Sequence, residues 1–460
     1  TQGVSSAASD VYKRQEKLTS FRIKMLNLIL RLGLPLERWL NGILLLLQKE
    51  IGNIDIDKLR AIILFEADFN WLLKMIFSKR LTSRAIENDT LPQEFFAIKG
   101  RSAKEAILAR TLWCDTNRLQ HRSFAVVSAD LAQCFDMIHH TQCSLAMQAQ
   151  GCPIKPITIM LFALQNVKYW LRSAYGDAKT PFSAETDNPY MGMGQGSGGS
   201  NPGCMFTFTP VINAYKRKGY PAEMSSAWSG RIMLLAALQY VDDTDLLLRA
   251  LECQSTEEFM SHIQRALTFW GQLVLATGGV LKQKKCQVAI AAVKFKSGKA
   301  TILEKRSLPD VKFTIPQKEG KTVVIPTVAA KENITALGFS NDLLNSGKHQ
   351  LDRIKKTGKE WSINMNTSRY LNRADVRLSL SAQLHPKLKW SIACLSLDPK
   401  KVDKAVHRFF HQTMSRMGVN RKMKREMRTM MKKYGGLGFF DLNMDNLCLL
   451  YTSPSPRDRG

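Results

Sequence analysis

The stretch RIMLLAALQYVDDTDLLLR at residues 231–249 decides how the rest of the chain is read. An apolar run leads into a polar turn at Asp242, Asp243 and Thr244, and a second apolar run follows, which predicts a hairpin with acid at its tip. Adjacent aspartates usually cap turns or helices. A pair flanked on both sides by strand-forming residues is rarer, because burying unpaired carboxylates in a sheet is costly. Upstream, SFAVVSADL at 123–131 reads as a buried strand that ends in Asp130. If this strand and the hairpin are neighbours in one sheet, three carboxylates meet. Phosphoryl transfer to a nucleic-acid end needs such a meeting, since two metal ions about 4 Å apart must be held by converging acids. Mg²⁺ demands the hard oxygen ligands that aspartates supply.

Outward from this centre the pattern alternates between helical and strand periods. From Phe21 to Leu81 apolar residues recur at helical spacing, as in Leu26, Ile29 and Leu30 and in Trp71, Leu72, Met75 and Ile76, so this stretch is expected to be mainly helical. A strand-like piece, LRAIIL, interrupts it. Residues 101–120 read as a basic amphipathic helix, and helical pattern returns from His140 to Leu171. GMGQGSGGSNP at 192–202 predicts a loop. Residues 255–277 predict a helix, 286–340 hold short strand-like segments such as VAIAAVKF and TVVIP, and helices dominate from about 346 onward. The start of the chain through SSAASDVYKRQ and the tail LLYTSPSPRDRG resemble translated adapter sequence, so roughly 1–15 and 448–460 are left out of the fold reading.

At 460 residues the chain is long enough for two or three packed subdomains, and its 45% apolar fraction suffices to build them. Sixty-six Lys and Arg against 39 Asp and Glu leave a net charge of +27, spread over most of the length. Such a potential attracts polyanions, nucleic acid first among them, with loose attraction to a membrane surface as the alternative. Nine cysteines form no CxxC pair, and the spacing from Cys143 to Cys152 fits neither a zinc ribbon nor a compact disulfide framework. They are expected to be reduced thiols in an intracellular protein of cytoplasm or nucleus. The apolar runs, Gly42 to Leu47 among them, are far short of the roughly 20 residues that span a bilayer. Between Lys401 and Lys433 eleven Lys or Arg residues are interleaved with methionines, Phe409 and Phe410. That face could track a phosphate backbone, and a solvated helix surface explains it as well.

The motifs fall in an order that resembles the reverse transcriptase family. Asp130-Leu-Ala-Gln-Cys-Phe135-Asp136 is followed by Gln195-Gly196, then by Tyr240-Val241-Asp242-Asp243, then by Gly278-Gly279 with Lys285, and then by Leu337-Gly338-Phe339. Upstream, Lys58-Leu-Arg60-Ala-Ile62 is similar to the family's finger motif and Lys99-Gly-Arg101-Ser102 to its GRS segment. Downstream, Tyr434-Gly-Gly-Leu-Gly438 looks like an element found late in polymerases of non-LTR retrotransposons. The resemblance covers roughly residues 40 to 445. Two departures stand out. Ser200-Asn201-Pro202 takes the place of the usual Ser-Pro after Gln195-Gly196, and Asn70 stands about where the family often has a second finger lysine, with Lys74 one helical turn beyond.

The resemblance implies an α+β right-hand polymerase, with helical fingers over 16–125, an antiparallel-sheet palm over 126–345 and a basic helical thumb over 346–447. It implies two divalent ions, Mg²⁺ or Mn²⁺, held by Asp130 and Asp242 with the Leu131 carbonyl, and Asp243 in support. Phe135 would be the gate that rejects a ribose 2′-hydroxyl. Gln195, Gly196 and Tyr240 would lie at the incoming deoxynucleoside triphosphate, Arg60 would contact its phosphates, and Lys285 would protonate the leaving pyrophosphate. Lys282 and Lys284 stand close enough to Lys285 that the role could fall to either. Lys99, Arg101, Leu337, Gly338, Arg421, Lys422, Lys424 and Arg425 would contact the RNA template or DNA primer. His139 and His140 are read as structural, since adjacent residues on a helix face different ways. A viral RNA-dependent RNA polymerase, or a decayed element protein that binds nucleic acid without polymerising, are the competing readings.

Overall fold

The computed structural model describes residues 2–452 apart from 50–51, 54, 133, 174, 186, 226–229, 231, 252–253, 391 and 396. Part of the tail set aside at 448–460 therefore lies outside the described residues. The N-terminal stretch set aside is taken up by α1 (Gln2–Leu32), whose Leu26 and Ile29 are buried one turn apart. Next come β1 (Asn41–Gln48) and β2 (Leu59–Phe65), an antiparallel pair registered from Gly42↔Phe65 to Gln48↔Leu59. The strand-like LRAIIL is thus β2, but GILLLL, expected within a helical stretch, is a strand. An unbroken apolar run carries no period, and pairing on both sides decides its state. A close approach at Gly42 adds to this, since a Cβ there would come within 3.2 Å of the Ile63 side chain. Three helical segments follow: α2 (Ala67–Leu73), a wider-wound stretch at Lys74–Leu81, and α3 (Thr82–Glu87). They bury Phe69, Leu72, Leu73 and Phe77 against Trp39.

The middle of the chain begins with α4 (Ala103–Leu119), capped by Ser102, whose hydroxyl accepts from the Glu105 amide. The predicted strand follows as β3 (Phe124–Ser128), then β4 (Leu131–Ala132), α5 (Cys134–Met137), α6 (His140–Ala149) and α7 (Ile154–Asn166). The helical expectation to Leu171 overran. Lys168–Ser173 is β5, rich in β-favouring Tyr169 and Trp170 and paired in parallel with β1, and it turns back through β6 (Gly176–Asp177). α8 (Ser200–Arg217) starts inside the stretch expected to be a loop. After it come β7 (Ala222–Ser225), β8 (Ile232–Leu235), β9 (Ala237–Tyr240), β10 (Asp243–Arg249) and α9 (Thr256–Ala276). A reciprocal cap of Ser255 and Glu258 starts α9. Short strands fill the rest of this region as expected: β11 (Val280–Leu281), β12 (Gln287–Ala291), β13 (Val293–Lys296), β14 (Lys299–Ile302), β15 (Phe313–Pro316), β16 (Thr322–Ile325), β17 (Thr327–Ala329), β18 (Ile334–Ala336) and β19 (Phe339–Asn341).

The central sheet has the order β17-β12-β3-β10-β9, with β3 in the middle. Its strands are apolar on both faces. Phe124, Val126, Leu247, Ala289 and Ala291 pack with Trp113 of α4, whereas Ala125, Val127, Leu246, Val288 and Ile290 pack with Phe206 of α8 and Trp270 of α9. The period-2 alternation thus sends successive side chains to opposite helical layers. Burial on both faces leaves the strand ends as the place where polar chemistry can reach solvent.

The C-terminal part is helical, as expected: α10 (Lys348–Thr367), α11 (Arg373–Ser379), α12 (His385–Lys389), α13 (Pro399–Thr413), α14 (Arg425–Thr429) and α15 (Leu442–Thr452). It has its own core, including Ile354, Trp361, Leu380, Leu384, Val402 and Phe409, to which β19 adds Phe339. Gly358 lets α10 approach α13, for a Cβ there would overlap the Phe409 ring. Among the described residues no helix is long and apolar enough to cross a membrane.

Candidate active site

Strand register brings the acids together. β10 pairs antiparallel with β3 at Asp245↔Ser128, and continuing that register by two residues carries Asp243 opposite position 130. On the other flank β12 pairs with β3 at Gln287↔Ser128, and the same continuation carries Lys285 opposite position 130. Asp130 therefore stands between an acid and a base from different strands. The Lys285 ammonium lies 2.9 Å from Asp130 Oδ2. The main chain of Asp130 is held by the Lys282 amide, which donates to its carbonyl at 2.8 Å, and β4 pairs with β11 immediately beyond. Of the three neighbouring lysines, register singles out Lys285.

Asp242 reaches the site by a tight turn. β9 and β10 pair at Tyr240↔Asp243, leaving Val241 and Asp242 as the two turn residues. Val241 has φ 62, a conformation that a β-branched side chain rarely adopts. Its carbonyl is held by the Gln239 side-chain amide at 3.0 Å. That bond and the two flanking strands over-determine the turn, and the turn aims Asp242 toward Asp130.

The electrostatics report the crowding. Burial first, then Asp242 and Asp130, push the Asp243 carboxyl up to about 7. Asp242 is also raised, by burial and by Asp130, against the opposing charges of Lys285 and Arg60. Arg60 is exposed on β2, yet its charge reaches Asp242, so the N-terminal sheet faces this site. Lys285 is raised by its hydrogen bond to Asp130 and keeps its proton.

The donor set fits divalent cations. Asp130 is 6% exposed, and among the described residues no donor reaches its Oδ1. Among the described residues the cation at its carboxylate is the Lys285 ammonium. All three acids offer hard oxygens, with the Leu131 carbonyl next to Asp130. Among the described residues no three His, Cys, Asp or Glu side chains form a ready-made metal cage. Any ions would be completed by main-chain oxygen, water or substrate. His140 is committed elsewhere, to the Gly192 carbonyl and Gln165. A cavity of about 390 Å³ adjoins the acids, lined among others by Arg110, Asp130, Asp243, Asp245, Lys285 and Leu337.

The other predicted residues divide. Phe135, half-buried on α5, lies five residues beyond Asp130, and its carbonyl accepts from Met193 of the glycine-rich loop. The Gln195 carbonyl accepts from the Ile63 amide of β2 at 2.7 Å, and Gly196 has φ +118 with its Cα against the Ile63 carbonyl. Tyr240 flanks the acid turn. Leu337 and Gly338, both at positive φ, form the tight turn between β18 and β19, and Leu337 lines the cavity. The Leu337 carbonyl accepts from Trp390. Lys99 is exposed. Arg101 donates to the Gln93 and Phe95 carbonyls and lies over the Phe96 ring, which gives it a structural duty. Arg421, Lys422 and Lys424 are exposed between α13 and α14, whereas Arg425 is tied to Asp403 at 2.5 Å and Asp441 at 2.7 Å. Arg425 is therefore not a free phosphate contact.

Sequence reasoning missed two supports. Asp245, on the same face of β10 as Asp243, accepts from Arg110 and from Ser128, each at 2.9 Å. Period-2 spacing could have flagged Asp245, but nothing local marks Arg110. Asn70 accepts from the Gly198 amide at 2.5 Å and donates to the Gly196 carbonyl at 3.1 Å.

No protein-family model and no curated protein matches the chain. Among solved structures it is similar to telomerase from Candida albicans in complex with a TWJ fragment of telomeric RNA, at 11% identity over 85% of this chain and 56% of that one, with a TM-score of 0.41. Apo telomerase from Candida tropicalis matches at 9% identity over 83% of this chain and 58% of that one, TM-score 0.41. The RNA-dependent RNA polymerase of a human picobirnavirus matches at 16% identity over 54% and 42%, TM-score 0.31. The chain spans little more than half the length of the telomerases.

Proposed function

We propose that this chain is the core of a retroelement reverse transcriptase, adding deoxynucleotides to a DNA primer on an RNA template. The observation that carries the reading is the convergence of Asp130, Asp242 and Asp243 with Lys285 and Arg60 at one end of the central sheet. In this reading the N-terminal sheet and helices are fingers, the central sheet is the palm and the C-terminal helices are the thumb. Asp130 and Asp242, with the Leu131 carbonyl, would hold two Mg²⁺ or Mn²⁺ ions, and Asp243 would support them. Bound there, such ions lower the pKa of a primer 3′-hydroxyl and stabilise charge on a triphosphate.

The chain's own residues would do the rest. Arg60 offers a planar guanidinium to phosphate oxygens. Lys285 keeps a proton at the site for the departing pyrophosphate. The Gln195–Gly196 backbone, held against β2, would lie at the nascent base pair beside Tyr240. Phe135 would lie against the sugar and exclude a ribose 2′-hydroxyl, which favours DNA over RNA synthesis. Lys99, Leu337, Gly338, Arg421, Lys422 and Lys424 would contact template or primer. The finger motif at Lys58–Ile62 and the Tyr434–Gly438 element are the sequence features that favour the non-LTR type.

Labelled dTTP offered on poly(rA)·oligo(dT) tests this. Incorporation with Mg²⁺ or Mn²⁺ that disappears in Asp242→Ala is the expected result. Tight binding without incorporation identifies instead a decayed element protein, and preferential use of ribonucleotides identifies a viral-type RNA polymerase.

A further inference from the structure

Three groups from the N-terminal unit grip the loop at 195–198, across more than a hundred residues of sequence. The Ile63 amide of β2 donates to the Gln195 carbonyl at 2.7 Å. The Asn70 side chain of α2 takes both a donor and an acceptor of the loop: its amide nitrogen donates to the Gly196 carbonyl at 3.1 Å and its oxygen accepts from the Gly198 amide at 2.5 Å. The Ser78 hydroxyl donates to the Gly198 carbonyl at 3.1 Å. A primary amide is the uncharged side chain that can donate and accept at once in one plane. It reads a carbonyl and an amide two residues apart much as a neighbouring strand would, extending the β2 contact around a corner.

The glycines are shaped to this grip. A Cβ at Gly196 would overlap the Ile63 carbonyl oxygen, and one at Gly198 would come within 2.7 Å of the Asn70 carbonyl and 2.8 Å of the Lys74 amide. The loop thus lies on α2 and β2 with no side chain between. Arg60 lies three residues before Ile63 on the same strand, so the loop and Arg60 are borne by one rigid element.

We infer that Asn70 is a positioning residue: it locks the loop carrying Gln195 and Gly196 to the strand carrying Arg60, so that the contact to a nucleotide's base and the contact to its phosphates are set by one body. The inference rests on the polymerase reading for its kinetic consequence, but the clamp itself is a property of the fold.

The test uses the full chain and Asn70→Ala. Loss of the bond from the Gly198 amide to Asn70 is expected to speed hydrogen exchange at that amide by about tenfold or more, and release of the loop from β2 speeds exchange at the Ile63 amide, which donates to the Gln195 carbonyl. On poly(rA)·oligo(dT) the KM for dTTP rises by about tenfold while kcat stays within about threefold, because ground-state placement is lost and the acids are untouched. Misincorporation of dCTP rises in step. Asn70→Asp keeps the acceptor for Gly198 but faces the Gly196 carbonyl with a second oxygen, so it fails to restore KM. Unchanged loop exchange overturns the clamp. Faster exchange with a fall in kcat alone, or with a general loss of thermal stability and no change in KM, overturns the positioning role. A wild-type chain that incorporates nothing refutes the polymerase reading, and the exchange measurement then still decides whether the clamp exists.

Discussion

Burial and two neighbouring carboxylates push Asp243 up to about 7 from an ordinary 3.8, and proton counting gives the consequence. Between those values the folded protein holds a proton that the unfolded chain has released. The contribution of Asp243 to stability is therefore full below about pH 4 and is lost as pH rises through about 7. Mg²⁺ bound among these acids would offset both the burial and the repulsion that cause the loss. The rise in Tm given by Mg²⁺ is expected to be larger at about pH 8 than at about pH 5, and Asp243→Asn should flatten that difference. Thermal scans of both proteins with and without Mg²⁺ check it; an equal Mg²⁺ effect at both pH values in the wild type would count against a cation among these acids. Arg110 and Asp245 are a second residue-scale case. Their side chains are 7% and 13% exposed, so Arg110→Met strands a carboxylate in the sheet. A loss of about 3 kcal/mol in urea unfolding is expected, most of it recovered when Asp245→Leu is added, since removing both charges also removes the desolvation cost.

At the scale of elements, legibility tracked how much of the deciding force was local. The hairpin around Asp242 could be read because two apolar runs and the polar turn between them all fall within nineteen residues. β1 could not, because a leucine run is compatible with helix or strand and its partners at 59–65 and 168–173 settle the matter. α8 was missed for the opposite reason. Its first turns carry Gly199, Pro202 and Gly203, and Pro210 lies inside it, a composition that local propensity assigns to loop. Burial of Phe206, Phe208 and Ile212 overrides that propensity. The glycine loop before α8 yields a prediction of its own. Gly196→Ala places a Cβ against the Ile63 carbonyl at a φ of +118, so the loop must leave β2. A displacement of this kind is expected to lower dTTP incorporation by about 10²-fold. The change in Tm should be small, because residues 195–198 place no side chain in the core. A variant with normal incorporation would show that the loop has no part in nucleotide placement.

Across the whole molecule, the three acids were legible as an ordered motif, with Arg60 and Lys285 beside them, while the groups that support them were not. The role of Lys285 could have fallen to Lys282 or Lys284 until the register of β12 on β3 chose it, Arg110 comes from a helix with no signature, and Asn70 was marked only as a departure from the finger pattern. Long-range pairing supplies what no window of sequence contains. Charge, by contrast, is a global quantity that composition reports directly, and the +27 excess bears on binding. A polyanion held by about six phosphate contacts should lose roughly 10³-fold in affinity between about 50 and 200 mM salt. The structure refines which basic residues contribute to that slope. Lys422 and Lys424 are exposed, so Lys422→Glu with Lys424→Glu should reduce the log–log slope for a labelled RNA–DNA duplex by about two, one unit per contact. Arg425→Glu should behave differently, because its guanidinium already bridges Asp403 and Asp441 and its loss sets three carboxylates against one another. That variant should lower the stability of the C-terminal helices and leave the salt slope of the remaining folded protein unchanged. Anisotropy titrations over a salt series, run beside urea unfolding, separate the two outcomes. If the double lysine variant keeps the full slope, nucleic acid does not run along this face, and the basic segment between α13 and α14 is solvated surface.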